Sequence, residues 1–270
     1  LSGLSPAGVP TQLESTALPF NDGDLDALER ILNNGDVAAI KMEVMRSREP
    51  SLQYLQDVRA LADKFNCLLI FDECTSGFRE TFGGLHLKYG VAPDLSILGK
   101  TLGNGYAITG VIGTRPVMDS SQSTFISSTF FTERIGFVAG LATLEEMERK
   151  QSWQTISKKG ASFKARLARL CNLHNLDVEI TGMDALVTYN FKHSTPSVCK
   201  TYITQEMMKR KFLAGNLFYP SIAHTDEDID DFFAALEEVL KKLSGIVSSG
   251  DDLAKHLNGP VCHQGFQRLN

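Results

Sequence analysis

The stretch Cys67-Leu-Leu-Ile-Phe-Asp-Glu73 decides the fold. Cys67 to Phe71 form a short continuous apolar run, and an acidic pair ends it. Such a run suits a strand buried on both faces of a parallel sheet. Upstream, Leu52, Leu55, Val58, Leu61 and Ala62 recur at helical spacing and predict a helix over 51–65. Before it, 37–44 reads as a strand, and Leu25, Leu28, Ile31 and Leu32 predict a helix over 24–32. Downstream come a loop at 74–84, a short amphipathic helix near 85–90, and strands at 94–98 and 107–113. A long helix is expected over 132–149, with Ile135, Val138, Ala139, Ala142, Leu144 and Met147 as its apolar residues. Strand–helix–strand alternation argues for an α/β layer with a mainly parallel sheet.

The pattern changes near residue 150. A helix at 152–171 precedes two strands, 178–181 and 185–191, and then helices over 200–213 and 226–245. The tail beyond Gly245 reads as irregular. The expected organisation is therefore a large α/β domain over 1–150 and a smaller C-terminal α+β domain over 151–270. Residues 1–23 are loop-like, rich in Gly, Pro and Ser, and the chain is expected to begin inside a larger protein.

Composition narrows the function classes. The 270 residues are 43% hydrophobic and 22% charged, ordinary globular values that leave enough apolar material for a core. A formal net charge of -5 argues against nucleic acid as a partner, which needs a basic patch. No apolar stretch is long enough to span a bilayer, so no membrane role is expected. The 5 cysteines include no C-x-x-C pair, which points to a reducing, cytoplasmic compartment. The 6 histidines show no metal-ligand clustering, and no metal is expected.

Two segments carry chemistry. Asp72 ends the central strand, and ligands of parallel α/β sheets bind beyond the carboxyl ends of strands. The alternative for Asp72 is a simple loop or helix cap. Pro93-Asp-Leu-Ser-Ile-Leu-Gly-Lys-Thr-Leu-Gly-Asn-Gly105 delivers Lys100 into a glycine-rich turn, where backbone approaches a ligand closely. The alternative for Lys100 is an exposed surface lysine. The two residues lie 28 positions apart, a separation that fits one βαβ crossover and brings both to one rim. A lysine that forms an imine and a carboxylate that keeps a pyridine nitrogen protonated are what pyridoxal phosphate (PLP) chemistry needs.

Ile70-Phe-Asp-Glu-Cys-Thr-Ser-Gly-Phe-Arg79 and the 93–105 segment together resemble the paired signatures of class III aminotransferases. Gly77-Phe-Arg79 is most similar to the glutamate-1-semialdehyde aminomutase branch. Ser128-Thr-Phe-Phe-Thr-Glu-Arg-Ile-Gly136 resembles the family's threonine segment, and His224-Thr-Asp-Glu-Asp-Ile-Asp230 its His-Thr-x-x-Asp-Ile stretch. The tail at 259–269 resembles members associated with surface-sugar biosynthesis. The resemblance implies a three-layer, fold-type I PLP-transferase large domain and PLP as cofactor. It implies Lys100 as the Schiff-base lysine and proton shuttle, and Asp72 as the partner of the ring nitrogen. Cys74 would pack on the ring where many relatives carry Val or Ile. Thr129, with Ser128, would bind the cofactor phosphate from the neighbouring subunit of a homodimer. Glu43 would stand at the substrate edge of the site, or be an ordinary strand-end acid.

The same resemblance shows departures. Asn104 stands where some relatives have Gly. The phosphate-cradling turn and the ring-stacking aromatic of the family are not found before Glu43. The expected function is PLP-dependent amino-group transfer between an amine donor and a carbonyl acceptor, of the transaminase or aminomutase kind. The alternatives are an aminotransferase acting on a keto-sugar, and a catalytically incomplete chain serving as a partner subunit.

Overall fold

Strand β2 (Leu68–Asp72) lies inside a four-stranded sheet, between β1 (Ala39–Met42) and β3 (Leu95–Leu98), with β4 (Gly110–Gly113) beyond β3. This arrangement comes from a computed structural model that describes residues 7–46 and 48–263. Strands β1, β2 and β3 run parallel, and β4 runs antiparallel to β3. A parallel return needs a crossover of a dozen or more residues. The chain between β3 and β4 is shorter and turns back directly, so the fourth strand reverses. The expected strand at 107–113 is confined to its last four residues.

Pleating sorts the sheet residues to two faces. Ile40, Leu69 and Phe71 are buried on one face. Helix α1 (Leu25–Asn33) and helix α2 (Leu52–Lys64) pack together, and α2 packs on β2. Their buried residues, Leu28, Leu32, Leu55, Val58 and Ala62, are among the positions that helical spacing selected, whereas Leu52, also selected for the buried face, is exposed because it stands in the first turn. Asp24 and Ser51 cap the two helix starts, accepting from the backbone N–H of Ala27 and Tyr54. The opposite face carries Lys41, Ile70, Asp72, Leu95, Ile97 and Val111, all half-buried or exposed.

Helix α3 (His86–Tyr89) is one turn long and stops at Gly90 in the left-handed conformation. Helix α4 (Arg115–Ser120), with Pro116 in its first turn, was not expected from the sequence. The long helix α5 (Arg134–Lys150) buries Gly136, Gly140 and Met147. A Cβ at Gly136 would stand 3.0 Å from the Ala107 carbonyl oxygen, so the glycines let the helix approach that backbone. Ile135, Val138 and Leu141 therefore face outward.

The units that emerge are Leu18–Lys158 and a second made of Lys159 onward with the chain up to Ala17. The division falls inside helix α6 (Ser152–Leu173). The second unit has its own antiparallel sheet of β5 (Val178–Thr181), β6 (Val187–Phe191) and β7 (Leu217–Phe218). Helices α7 (Pro196–Lys209) and α8 (Asp226–Ser249) pack against each other, and α7 packs on β6. Phe163, Leu167, Tyr189, Ile203, Leu236 and Leu240 form its core. Helix α8 runs four residues beyond Gly245, to Ser249, where the sequence assigned an irregular tail, because Ile246 and Val247 still pack against the core. The tail match at 259–269 runs past His263 and so lies partly outside the described residues, as do residues 1–6 of the expected N-terminal loop.

One buried-edge contact makes the sheet sensitive to acid. Asp94, just before β3, accepts from the Leu69 N–H at 2.7 Å and from Arg59 of α2 at 2.7 Å. Burial alone would raise its pKa, but the Leu69 N–H and the Arg59 guanidinium outweigh it and hold the carboxyl below the usual carboxylate range. A group depressed in the folded state contributes stability above its unfolded pKa of about 3.9 and loses it as pH falls through the folded value. Urea unfolding midpoints should therefore fall more steeply below about pH 4 for the native chain than for Asp94→Asn. Parallel pH profiles would show that Asp94 is not such a link.

Candidate active site

The rim beyond the carboxyl ends of β2 and β3 is built around Glu73. Its backbone N–H donates to the Ile97 carbonyl at 2.9 Å, which continues the β2–β3 ladder past Asp72. Its side chain is 0% exposed. Ser96 Oγ of β3 donates to Glu73 Oε2 at 2.5 Å. The His86 N–H donates to Oε1 at 2.9 Å, and His86 Nδ1 pairs with Oε2 at 2.8 Å. A Cβ at Gly84 would stand 2.1 Å from Glu73 Oε2, so the chain passes this carboxylate at glycine distance. A buried carboxylate is costly unless hydrogen-bonded, and here both oxygens are occupied. Sequence reasoning gave Glu73 no role. The available signal was the pleat: Asp72 shares a face with Ile70, and Glu73 shares one with Phe71.

Asp72 closes β2 on the open face. Lys41 Nζ of β1 lies 2.8 Å from Asp72 Oδ2. The Cys74 N–H donates to Oδ1 at 3.3 Å. Burial would raise the Asp72 pKa, but the Lys41 hydrogen bond and the Cys74 N–H outweigh it and hold the carboxyl below the usual range. Lys41 is in turn pushed above the ordinary lysine value, chiefly by its hydrogen bond to Asp72. Burial pushes the Cys74 thiol up, and the Asp72 charge adds to that, so no thiolate is favoured.

Lys100 opens a 3-10 turn, Lys100–Leu102, directly after β3 and Gly99. Its φ is 42°, in the left-handed region. Strain of that kind in a non-glycine residue gathers at functional positions. Lys100 Nζ donates to Thr75 Oγ1 at 2.5 Å. The amine is therefore tied to the loop that follows Asp72, and one rim carries both groups. Cys74 lies between them: its Sγ would be 3.2 Å from a Cβ at Gly99. Asn104 also adopts a left-handed φ, 46°, which asparagine tolerates better than most residues. Gly103 is bound by space instead, since a Cβ there would meet the Tyr106 carbonyl oxygen at 2.1 Å.

The other candidates stand apart. Ser128 caps the turn Thr129–Thr132, accepting from the Phe130 N–H at 3.2 Å, and both Ser128 and Thr129 are exposed. Among the described residues, no hydrogen bond or ion pair joins either to Asp72 or Lys100. Glu43 follows β1 and accepts from Arg46 at 2.8 Å, while its Oε2 is buried without a partner. It lines a cavity of about 410 Å³ with Lys41, Arg46, Arg48 and Tyr54. In the other unit, the His224–Asp230 stretch has a structural explanation. Thr225 and Asp228 form a capping box at the start of α8, Ile229 is buried, and His224 Nδ1 accepts from the Ser221 N–H.

The rim thus sets an amine on a strained turn beside a carboxylate held ionised, with a small apolar side chain between. Residues 11–240 match the model of the family described as aminotransferase class-III. The chain belongs to the class-III aminotransferase family. It is 34% identical over 250 residues to the 3-aminobutyryl-CoA aminotransferase of Cloacimonas acidaminovorans (strain Evry), covering 87% of this chain and 60% of the relative. It is 28% identical over 255 residues to a glutamate-1-semialdehyde 2,1-aminomutase of Saccharolobus islandicus, covering 88% and 60%. The chain spans about 60% of the length of these curated relatives. Among solved structures, the PLP internal aldimine form of the Sphingopyxis sp. MTA144 FumI protein superposes with a TM-score of 0.82 at 22% identity, over 90% of this chain and 61% of that one. An omega-transaminase from Sphaerobacter thermophilus gives 0.77 at 21%, over 87% and 59%. These likenesses establish the fold-type I transferase fold.

The buried carboxylate gives the test of this geometry. Glu73→Ala leaves Ser96 Oγ and the His86 N–H without their acceptor, and each buried unsatisfied group costs about 1–3 kcal/mol. Guanidinium unfolding should show a loss of about 2–5 kcal/mol. A loss below about 1 kcal/mol would show that the network does not pin the rim.

Proposed function

We propose that this chain provides Lys100 and Asp72 of a PLP site and takes part in amino-group transfer between an amine donor and a carbonyl acceptor. The observation that carries this is the single rim on which Asp72, Cys74 and Lys100 meet. The donor set fits the group: an amine for the aldehyde, an ionised carboxylate for the pyridine nitrogen, and a compact apolar side chain for the ring face. When bound, PLP supplies an electron sink for the carbon that carries the amino group.

In this reading Asp72 would hold a proton at the ring nitrogen. Lys100 would hold the cofactor through its amine and, once freed, would move a proton at the substrate carbon. Its hydrogen bond to Thr75, on the loop that follows Asp72, supports that placement. Cys74 would pack on the ring and keep water from one side of it. Thr129 and Ser128 lie on an exposed turn with no link to the rim, which supports their use by a second copy to hold the phosphate. The buried, unpartnered Oε2 of Glu43 and the cavity that this residue lines support a role for it at the substrate edge. The relatives support the transaminase or aminomutase kind of transfer. The two separate sheets support reading 1–150 as part of a large cofactor-binding domain and 151–270 as the small domain. Five unpaired cysteines support a cytoplasmic setting.

A homodimer is part of the same proposal. Phe125 is 97% exposed, and Phe130, Phe137, Val138 and Leu141 are exposed near it in sequence. Apolar surface on this scale marks an interaction site. Sedimentation should show self-association that Val138→Glu weakens at least several-fold, because a charge enters an apolar contact. Unchanged association would place the interface elsewhere. The open face of the first sheet favours a second reading, a partner subunit that completes its site only with another chain.

The deciding experiment is to incubate the chain with PLP, reduce with borohydride and map the labelled peptide. Label should fall on Lys100 and vanish in Lys100→Ala. A label elsewhere, or none, would overturn the assignment in favour of the partner-subunit reading.

A further inference from the structure

The Asp72 carboxylate already has a cation attached. Lys41 Nζ lies 2.8 Å from Oδ2, and the Cys74 N–H occupies Oδ1 at 3.3 Å. The β1–β2 register explains the contact. Lys41 pairs with Ile70, so its side chain emerges on the face that Asp72 shares. Two other charges lie nearby without touching the carboxylate. Glu43 pairs with Arg46 and exerts a weaker pull on the Lys41 ammonium, and Lys100, which donates to Thr75, acts on the neighbouring Cys74. Cys74 is held in its neutral thiol form, and β4 presents the uncharged Val111 to this face. Among the described residues, Lys41 is the cation in direct contact with the carboxylate.

We propose, resting on the reading of Asp72 as the ring-nitrogen partner, that Lys41 is a further cofactor-site residue. Its ammonium shares the Asp72 carboxylate with the ring nitrogen and lowers that nitrogen's affinity for a proton. A carboxylate offers about four acceptor positions, so Asp72 can receive a third donor while Lys41 stays bound. Two cations on one carboxylate disfavour each other, because a like charge opposes protonation of its neighbour. Lys41 is a positioning and tuning residue: it acts on the ring through Asp72. The site then restrains the ring as an electron sink compared with one in which Asp72 stands alone. Lys41 is more than half exposed, and solvent screens its effect at a distance, but the contact with Asp72 is direct.

The test uses PLP labelled with 15N in the ring, trapped on Lys100 by borohydride. The 15N shift is then followed against pH in the native chain, Lys41→Met, Lys41→Arg and Asp72→Asn. In Lys41→Met the ring nitrogen should keep its proton to a pH about one unit higher than in the native chain. Lys41→Arg, which retains the charge, should titrate close to the native chain. Asp72→Asn should release the proton at lower pH than any of them. Circular dichroism checks that each variant is folded. If Lys41→Met titrates like the native chain while Asp72→Asn shifts, the role of Lys41 is overturned and that of Asp72 stands. If Lys41→Arg shifts as far as Lys41→Met, charge is not the cause and the proposal also fails. If Asp72→Asn has no effect, or Lys100 takes no label, the reading of the site fails and this proposal with it.

Discussion

The rim depends on one buried carboxylate. Glu73 extends the β2 ladder by one hydrogen bond and then anchors three groups: Ser96 of β3, and the backbone and ring of His86 at the start of α3. A carboxylate with no exposed surface tolerates few alternative geometries, because an unmade hydrogen bond there costs more than it would in water. Fixing Glu73 fixes its neighbours. Asp72 must then point to the other face of the sheet, and Cys74 must turn across the strand end. The loop that follows carries Phe78 at a φ of 60°, buried, with its N–H on the Gly83 carbonyl. A bulky residue held in that conformation shows that the loop is determined by its surroundings.

The two faces of the first sheet have unlike fates. One is sealed by α2 over Leu69 and Phe71. The other carries Lys41, Asp72 and a set of half-buried aliphatic residues. Polar groups survive there because they pair with each other: Lys41 with Asp72, and Lys100 with Thr75. Half exposure also keeps these groups available. An ion pair sealed in the core would be costly to rearrange, whereas one at a rim can exchange partners at small cost.

Much of the fold was legible because buried strands and amphipathic helices have strong periods. The cores of α1 and α2 fell at the residues that spacing selected. Short or compensated elements were not legible. Helix α4 has no buried residue to give it a pattern, and β7 is two residues long. The apolar residues in the first half of α5 misled, because Gly136 and Gly140 form the packing face there and Ile135 and Val138 point outward, whereas Met147 is buried and Leu144 packs beside it. In the site, Asp72 and Lys100 stood out as polar residues at the ends of apolar runs. Lys41 did not, since a lysine within a strand reads as an ordinary solvent-facing position. Glu73 was masked by its neighbour, because adjacent acids look alike until the pleat assigns them to opposite faces.

The sequence by itself determined the class of fold, the family resemblance and the two segments that bear chemistry. Apolar periodicity, strand-end acids and glycine turns are local properties, and a linear reading recovers them. The tertiary structure decided which groups touch. The register of β1 against β2 brought Lys41 to Asp72, and the chain path from β3 tied Lys100 to Thr75. The buried face received Glu73 and Ser96 together. These contacts join residues 23 to 31 positions apart. No local pattern encodes such distances, because they follow from how strands align once the apolar faces have been buried.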